Sequence, residues 1–129
     1  MVVMSIDVRP GRSLPAVAGA RETTRRFLGG LAQPLAGRAA DSVVLVVSEL
    51  VTNALRHGGG AFSLDLQAHP DTIEVAVHDH SSEAPRLRVV GLPGATTGFG
   101  WPMVNRLAHA TAVTRLAHGG KTVSALLPR

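Results

Sequence analysis

The sequence predicts an α+β fold: a two-layer sandwich in which about three helices cover one face of a mixed, mostly antiparallel sheet. One observation is the changing hydrophobic period, which gives the order strand, two helices, two strands, long loop, helix, two strands. The other is size, because 129 residues with 45% apolar and 17% charged side chains fit one globular domain. We therefore expect a single domain over residues 1–129.

The first part of the chain predicts one strand and two helices. Residues 1–8 are apolar and β-branched, which predicts an edge strand. A helix should follow from Ser13 to about Gly29, with an apolar face of Val17, Ala20, Thr24, Phe27, Leu28 and Leu31. A second helix is predicted from about Ala39 to His57. Its β-branched run at residues 43–47 also allows a buried strand, but the length and the following glycines favour helix.

The second part predicts four strands and one helix around a long loop. Residues 62–67 and 72–78 alternate apolar and polar side chains, which indicates two half-buried strands joined by a tight turn at 69–71. Residues 80–97 have no regular pattern, and a loop of that length is typical of a functional segment. A short helix should follow Gly100, and strands near 112–116 and 122–127 should close the domain.

Composition excludes several classes of protein. The chain has no cysteine, which excludes disulfides, thiolate zinc sites, iron–sulfur clusters and a cysteine nucleophile. Its single lysine, Lys121, lacks the upstream glycine spacing of a P-loop. No apolar run reaches the roughly 18 residues of a membrane span, and the first ten residues have no basic start of a signal peptide. We expect a cytoplasmic protein that is not attached to a membrane.

The positive charge raises nucleic-acid binding as an alternative. The formal net charge is +4 and the sequence pI is about 11.3. Apart from Lys121 the basic residues are arginines, and they cluster only at Arg25–Arg26 and Arg86–Arg88. The three phenylalanines and one tryptophan are not interleaved with them, so the pattern favours a solvated surface over a nucleic-acid interface.

Three polar residues follow one another at four-residue spacing on the second helix. Glu49, Asn53 and His57 therefore lie along one ridge, with a drift of about 40° per step. The apolar residues beside them are expected to pack against the core, namely Leu45, Leu50, Ala54 and Leu55. The ridge predicts either a solvated polar stripe or a site that uses a carboxylate, an amide and an imidazole together.

This part of the helix resembles the N-box of the GHKL superfamily of ATP-binding proteins, which includes gyrase, the Hsp90 chaperone, histidine kinases and MutL. The segment that carries the resemblance is Glu49-Leu50-Val51-x-Asn53-Ala54-x-x-His57-Gly58. The short chain, without a phospho-acceptor region, is similar to the anti-sigma-factor serine kinases and their actinobacterial ATP-binding relatives. The resemblance covers nearly the whole chain and implies the Bergerat fold.

The resemblance implies an Mg-ATP site on and beside this helix. Asn53 would hold Mg²⁺ through its side-chain oxygen, and Glu49 would be the general base. Asp79, at the end of a predicted strand, would accept a hydrogen bond from the amino group of adenine. Arg56 and His57 would lie beside the phosphates or at the pocket edge.

Two further motifs are carried over from the resemblance. The loop at 80–97 would be the ATP lid, and Gly98-Phe99-Gly100 would be a glycine box that offers backbone N–H groups to phosphate. The closing Gly-Thr-x-Val motif is here Gly120-Lys121-Thr122-Val123. Thr122 is taken as the nucleotide-binding substitute, although strand alternation turns it toward the opposite face of the sheet.

The function that the resemblance implies is that of a serine/threonine protein kinase in a partner-switching pathway. It would transfer the γ-phosphoryl group of Mg-ATP to a serine of an anti-anti-sigma (STAS-type) protein. A sigma factor and a second copy of the chain are the other partners implied. One alternative is a catalytically weak pseudokinase that acts as a protein-interaction switch, because the first glycine box after Asp79 is missing. The other is an arginine-rich nucleic-acid-binding domain.

Overall fold

The computed structural model describes residues 2–8, 13–57, 62–80, 100–117 and 119–129. Within this part of the chain there are three helices and five strands, in the predicted order. The helices are α1 (Ser13–Gly29), α2 (Gly37–His57) and α3 (Gly100–Leu107). The strands are β1 (Val2–Val8), β2 (Phe62–Ala68), β3 (Thr72–Asp79), β4 (Ala110–Arg115) and β5 (Lys121–Pro128).

The strands form one sheet in the order β1-β2-β3-β5-β4. The α+β prediction is confirmed, with one correction: every pairing among the described strands is antiparallel, so this sheet is not mixed. The chain leaves α3 into the edge strand β4 and returns through β5 to pair with β3. This connectivity places the start of β5 directly beside the end of β3.

The core lies between the three helices and one face of the sheet. Alternate residues of β2, β3 and β5 face the helices, as in the buried row Leu64, Val77 and Val123. The predicted face of α1 is confirmed, since Ala20, Thr24, Leu28 and Leu31 are buried and Val17 and Phe27 pack partly against the core. Burying each large aliphatic side chain stabilises the fold by about 1.5–3 kcal/mol.

Helix α2 is the central element of the helical layer. It contacts α1, α3 and strands β2, β3 and β5. In a strand, residues 43, 45 and 47 would share one face. Val43 and Val47 are buried whereas Leu45 is 48% exposed, so this segment does not have the burial pattern of a strand. The expectation that Leu45 packs against the core is therefore wrong, because the helical turn directs it to solvent. Leu50 and Ala54 are buried as expected, and Leu55 packs partly against the core.

The sheet face away from the helices carries a hydrogen-bonded chain across three strands. His78 on β3 is 2.8 Å from Asp65 on β2 through Nε2, and 2.6 Å from Thr122 on β5 through Nδ1. All three side chains are half-buried. The turn between β2 and β3 forms as predicted, with the His69 N–H donating to the Thr72 carbonyl at 2.9 Å.

Two glycines with the same positive φ precede β5. Gly119 and Gly120 both have φ of +86°, a region that L side chains rarely adopt. A Cβ on Gly120 would collide with the carbonyl oxygen of Asp79, whereas a Cβ on Gly119 would have nothing within 4 Å. The close approach of β5 to the end of β3 thus requires glycine at position 120.

This difference gives a matched pair of variants. We expect Gly119→Ala to cost about 1–2 kcal/mol of unfolding free energy, from the left-handed backbone alone. Gly120→Ala should cost at least about 2 kcal/mol more, because the Asp79 backbone must also move. Urea unfolding monitored by circular dichroism measures both. Equal losses for the two variants would contradict the close approach.

Candidate functional site: the edge of the sandwich at the end of α2

Glu49 and Asn53 lie on one ridge of α2, as the spacing predicts. Both are half-buried, and the buried Leu50 and Ala54 between and beside them fix the rotation of the helix. Arg56 is exposed in the last turn. His57 is the final residue of α2, and its side chain lies outside the described residues. The ridge therefore presents a carboxylate and an amide at the border between core and solvent.

The end of α2 and the end of β3 lie at the same edge of the sandwich. Phe62, the first residue of β2, pairs with Asp79, the last residue of β3. Only five chain steps, at most about 18 Å, separate His57 from Phe62. Asn53 is one turn before His57, about 6 Å along the helix axis. The short connection thus keeps Asn53 within reach of the edge where β3 ends, although 26 positions separate it from Asp79.

Asp79 forms a buried ion pair with Lys121. The Lys121 Nζ donates a hydrogen bond to Asp79 Oδ1 at 3.1 Å and lies 2.9 Å from Oδ2. The Lys121 side chain is 0% exposed and the Asp79 side chain is 1% exposed. The pair joins facing positions of β5 and β3 on the helix side of the sheet. Two charges are retained in a core only when they satisfy each other this closely, because taking each from water costs several kcal/mol.

Lys121 is the site residue that the sequence reasoning missed. Strand alternation places it in phase with the buried Val123, Ala125 and Leu127, and a lysine in that phase needs a carboxylate partner. Asp79 is likewise in phase with the buried Val77. The apolar alternation of the two strands therefore predicts that both charged side chains are buried. That they pair with each other depends in addition on the β3–β5 register.

Thr122 does not join Asp79. It follows Lys121 on β5 and therefore faces the other side of the sheet, where its hydroxyl contacts His78 at 2.6 Å. The position that faces Asp79 is filled by Lys121. The assignment of Thr122 to the nucleotide site is corrected accordingly: the sheet separates it from the Asp79 carboxylate.

Helix α3 begins at Gly100, the last residue of the predicted glycine box. Trp101 packs partly against the core and Val104 is fully buried, so the start of the helix is anchored. Gly98, Phe99 and the predicted lid, apart from the exposed His80, lie outside the described residues. The start of the helix therefore agrees with the sequence-based expectation, and the roles of Gly98 and Phe99 stay predictions.

The donor set suits a magnesium–nucleotide complex better than a metal held by protein alone. Among the described residues, no group of three or more His, Asp or Glu side chains could hold a metal ion. Mg²⁺ in nucleotide sites takes one or two protein oxygens and completes its shell with phosphates and water. The half-buried amide of Asn53 supplies one such oxygen and fits that pattern.

A family model of the histidine kinase-like ATPase domain matches residues 13–126. The chain belongs to this family. The matched range runs from the first residue of α1 into β5 and includes Glu49, Asn53, Asp79 and Lys121. A comparison with curated proteins finds no match.

Membership of the histidine kinase-like ATPase family confirms the resemblance read from the N-box. ATP is the ligand that this membership implies. In the part of the chain that the structure describes, no helix has the length and apolar character needed to cross a membrane.

Proposed function

We propose that this ATPase domain is a serine/threonine protein kinase of the anti-sigma-factor type. It transfers the γ-phosphoryl group of Mg-ATP to a serine of a small anti-anti-sigma protein of the STAS type, and so releases or retains a sigma factor. The observation that supports the proposal is the half-buried ridge of Glu49 and Asn53 on α2, since a short connection joins the end of this helix to the strand that pairs with the end of β3. In this proposal Glu49 is the base, Asn53 the metal ligand and Asp79 the carboxylate that binds the nucleotide base.

The proposed mechanism assigns each side chain one task. Asn53 holds Mg²⁺ through its amide oxygen, and the ion, when bound, neutralises charge on the phosphate oxygens. The Glu49 carboxylate accepts the proton of the attacking serine hydroxyl. The serine oxygen then bonds to the γ-phosphorus while the bond to the bridging oxygen of ADP breaks, so the proton remains on Glu49. Catalysis of this kind rests on positioning and charge neutralisation.

A second candidate function is a pseudokinase that acts as a protein-interaction switch. The observation that favours it is the closed ion pair, since Asp79 is 1% exposed in its side chain and already holds the Lys121 ammonium group. A nucleotide base must compete with that contact. Weak nucleotide binding without phosphoryl transfer is the result that would favour this candidate.

Glu49→Gln tests the proposed kinase. We expect binding of Mg-ATP to change by less than about 3-fold, whereas phosphoryl transfer falls by at least about 100-fold, because the amide cannot accept the serine proton. Transfer of labelled γ-phosphate to a STAS-type protein, with its serine-to-alanine variant as a blank, measures the rate. Ser48→Ala, at the neighbouring half-buried position of α2, is the matched control and should leave the rate unchanged. A fully active Glu49→Gln protein would refute the role of Glu49 as base.

A further inference from the structure

The Asp79 carboxylate is not alone at its position in the fold. Lys121 Nζ lies 2.9 and 3.1 Å from its two oxygens, and both side chains are buried. The β3–β5 register fixes the pair, and the missing Cβ of Gly120 lets the backbone of β5 approach the Asp79 carbonyl. An acceptor and a donor therefore stand side by side at the edge where the base of a nucleotide would bind.

A carboxylate alone and a carboxylate with an ammonium group select different bases. A carboxylate only accepts hydrogen bonds, so it favours the 6-amino group of adenine and repels the 6-oxo group of guanine. An ammonium group only donates, through three N–H bonds. A neighbouring donor and acceptor can match adenine, whose amino group donates while N1 accepts. The same two groups can match guanine, whose N1–H donates while O6 accepts.

Engaging a base would require the buried pair to open on one side while it keeps a contact of its own. Because Lys121 Nζ contacts both oxygens of Asp79, one contact can be exchanged for a base while the other is kept. Stability alone does not account for the pair, since apolar residues of similar volume are often as good or better in a core. A buried donor beside a buried acceptor has, by contrast, a use in binding, because it can pair with the edge of adenine or of a 6-oxopurine, whereas a carboxylate alone offers nothing to O6.

We propose that Lys121 determines the base specificity of this site: with Asp79 it forms a donor–acceptor edge that accepts 6-oxopurine nucleotides as well as adenine nucleotides. The inference rests on the proposed binding of nucleotide at Asp79. It goes beyond the kinase proposal, which requires only that ATP be bound.

The test compares three nucleoside diphosphates, ADP, GDP and IDP, by calorimetric titration of the full chain with Mg²⁺ present. IDP carries the 6-oxo group without the 2-amino group and so isolates the effect of O6. We expect the dissociation constants of GDP and IDP for the wild type to lie within about 10-fold of that of ADP. Lys121→Thr should raise the preference for ADP over GDP and IDP by at least about 10-fold, because it removes the long ammonium donor to O6 and leaves only a short hydroxyl. Ser124→Ala, on the opposite face of β5, is the control and should leave the preference unchanged.

Three results would overturn the inference. One is a wild type that prefers ADP to both 6-oxopurine nucleotides by more than about 100-fold. The second is an unchanged preference in a Lys121→Thr protein whose folding is verified by thermal unfolding; if that variant does not fold, the wild-type comparison decides alone. The third is no binding of any diphosphate. Failure of the kinase proposal looks different, because it would leave similar binding of the three diphosphates but no transfer to serine.

Discussion

Lys121→Met is expected to lower the free energy of unfolding by about 3–5 kcal/mol, the largest loss that a single substitution at this site should cause. The variant leaves the Asp79 carboxylate without its buried cation at the end of the β3–β5 pairing. A loss of this size is a large fraction of the 5–15 kcal/mol that stabilises a typical domain. Urea unfolding at constant pH and salt measures it.

The double variant Asp79→Leu/Lys121→Met separates the ion pair from simple packing. Because both charges are removed together, the double variant should be more stable than Lys121→Met alone, and the cycle should show a coupling of several kcal/mol. Glu22→Gln is the control for an exposed pair: Glu22 is 2.6 Å from Arg26, but their side chains are 66% and 76% exposed. It should cost less than about 1 kcal/mol. A similar small loss for Lys121→Met would show that the buried pair is not closed in solution.

Asn53→Ala is expected to weaken binding of Mg-ATP by on the order of 100-fold and to abolish phosphoryl transfer. The reason is specific to the metal, because the alanine removes the amide oxygen proposed to hold Mg²⁺ while the helix keeps its buried face. Calorimetric titration of both proteins with ATP, once with Mg²⁺ and once with a chelator, measures the effect. With the chelator the wild type and the variant should bind equally weakly.

Two controls make the interpretation of Asn53→Ala unambiguous. Asn53→Asp keeps an oxygen ligand and should retain Mg-dependent binding, whereas Thr52→Ala, a half-buried neighbour on α2, should behave as wild type. If Asn53→Ala loses the same factor of ATP affinity with the chelator as with Mg²⁺, the substitution acts on nucleotide contacts or on the fold. That result would contradict the role of Asn53 as metal ligand.

The parts of the fold and site that sequence predicts are those with a local signal. The ridge of Glu49 and Asn53 depends only on the helical period, and the hairpin at 69–71 on its turn residues. The start of β4 was misplaced by two residues because its side chains are mostly exposed and show no alternation of burial. The predicted burial of Leu45 is wrong for a related reason, because many hydrophobic residues of folded proteins are exposed.

The Asp79–Lys121 pair shows what such local reasoning leaves out. The two residues are 42 positions apart, and their contact depends on which strands are neighbours and in which register. A motif comparison by residue type looks for a threonine. It therefore assigns nucleotide binding to Thr122, one position after Lys121, which occupies the threonine position of the motif. Because neighbouring residues of a strand face opposite sides of the sheet, it is Lys121 and not Thr122 that lies on the same face as Asp79.

Titration of the wild-type chain with ATP, with Mg²⁺ and again with the ion chelated, tests the central claim most directly. That claim is that the edge formed by the end of α2 and the end of β3 binds a magnesium–nucleotide complex. We predict saturable binding of one ATP per chain, much weaker without Mg²⁺, and a rise in the thermal unfolding midpoint on binding. No heat of binding and no thermal shift at millimolar Mg-ATP would contradict the claim.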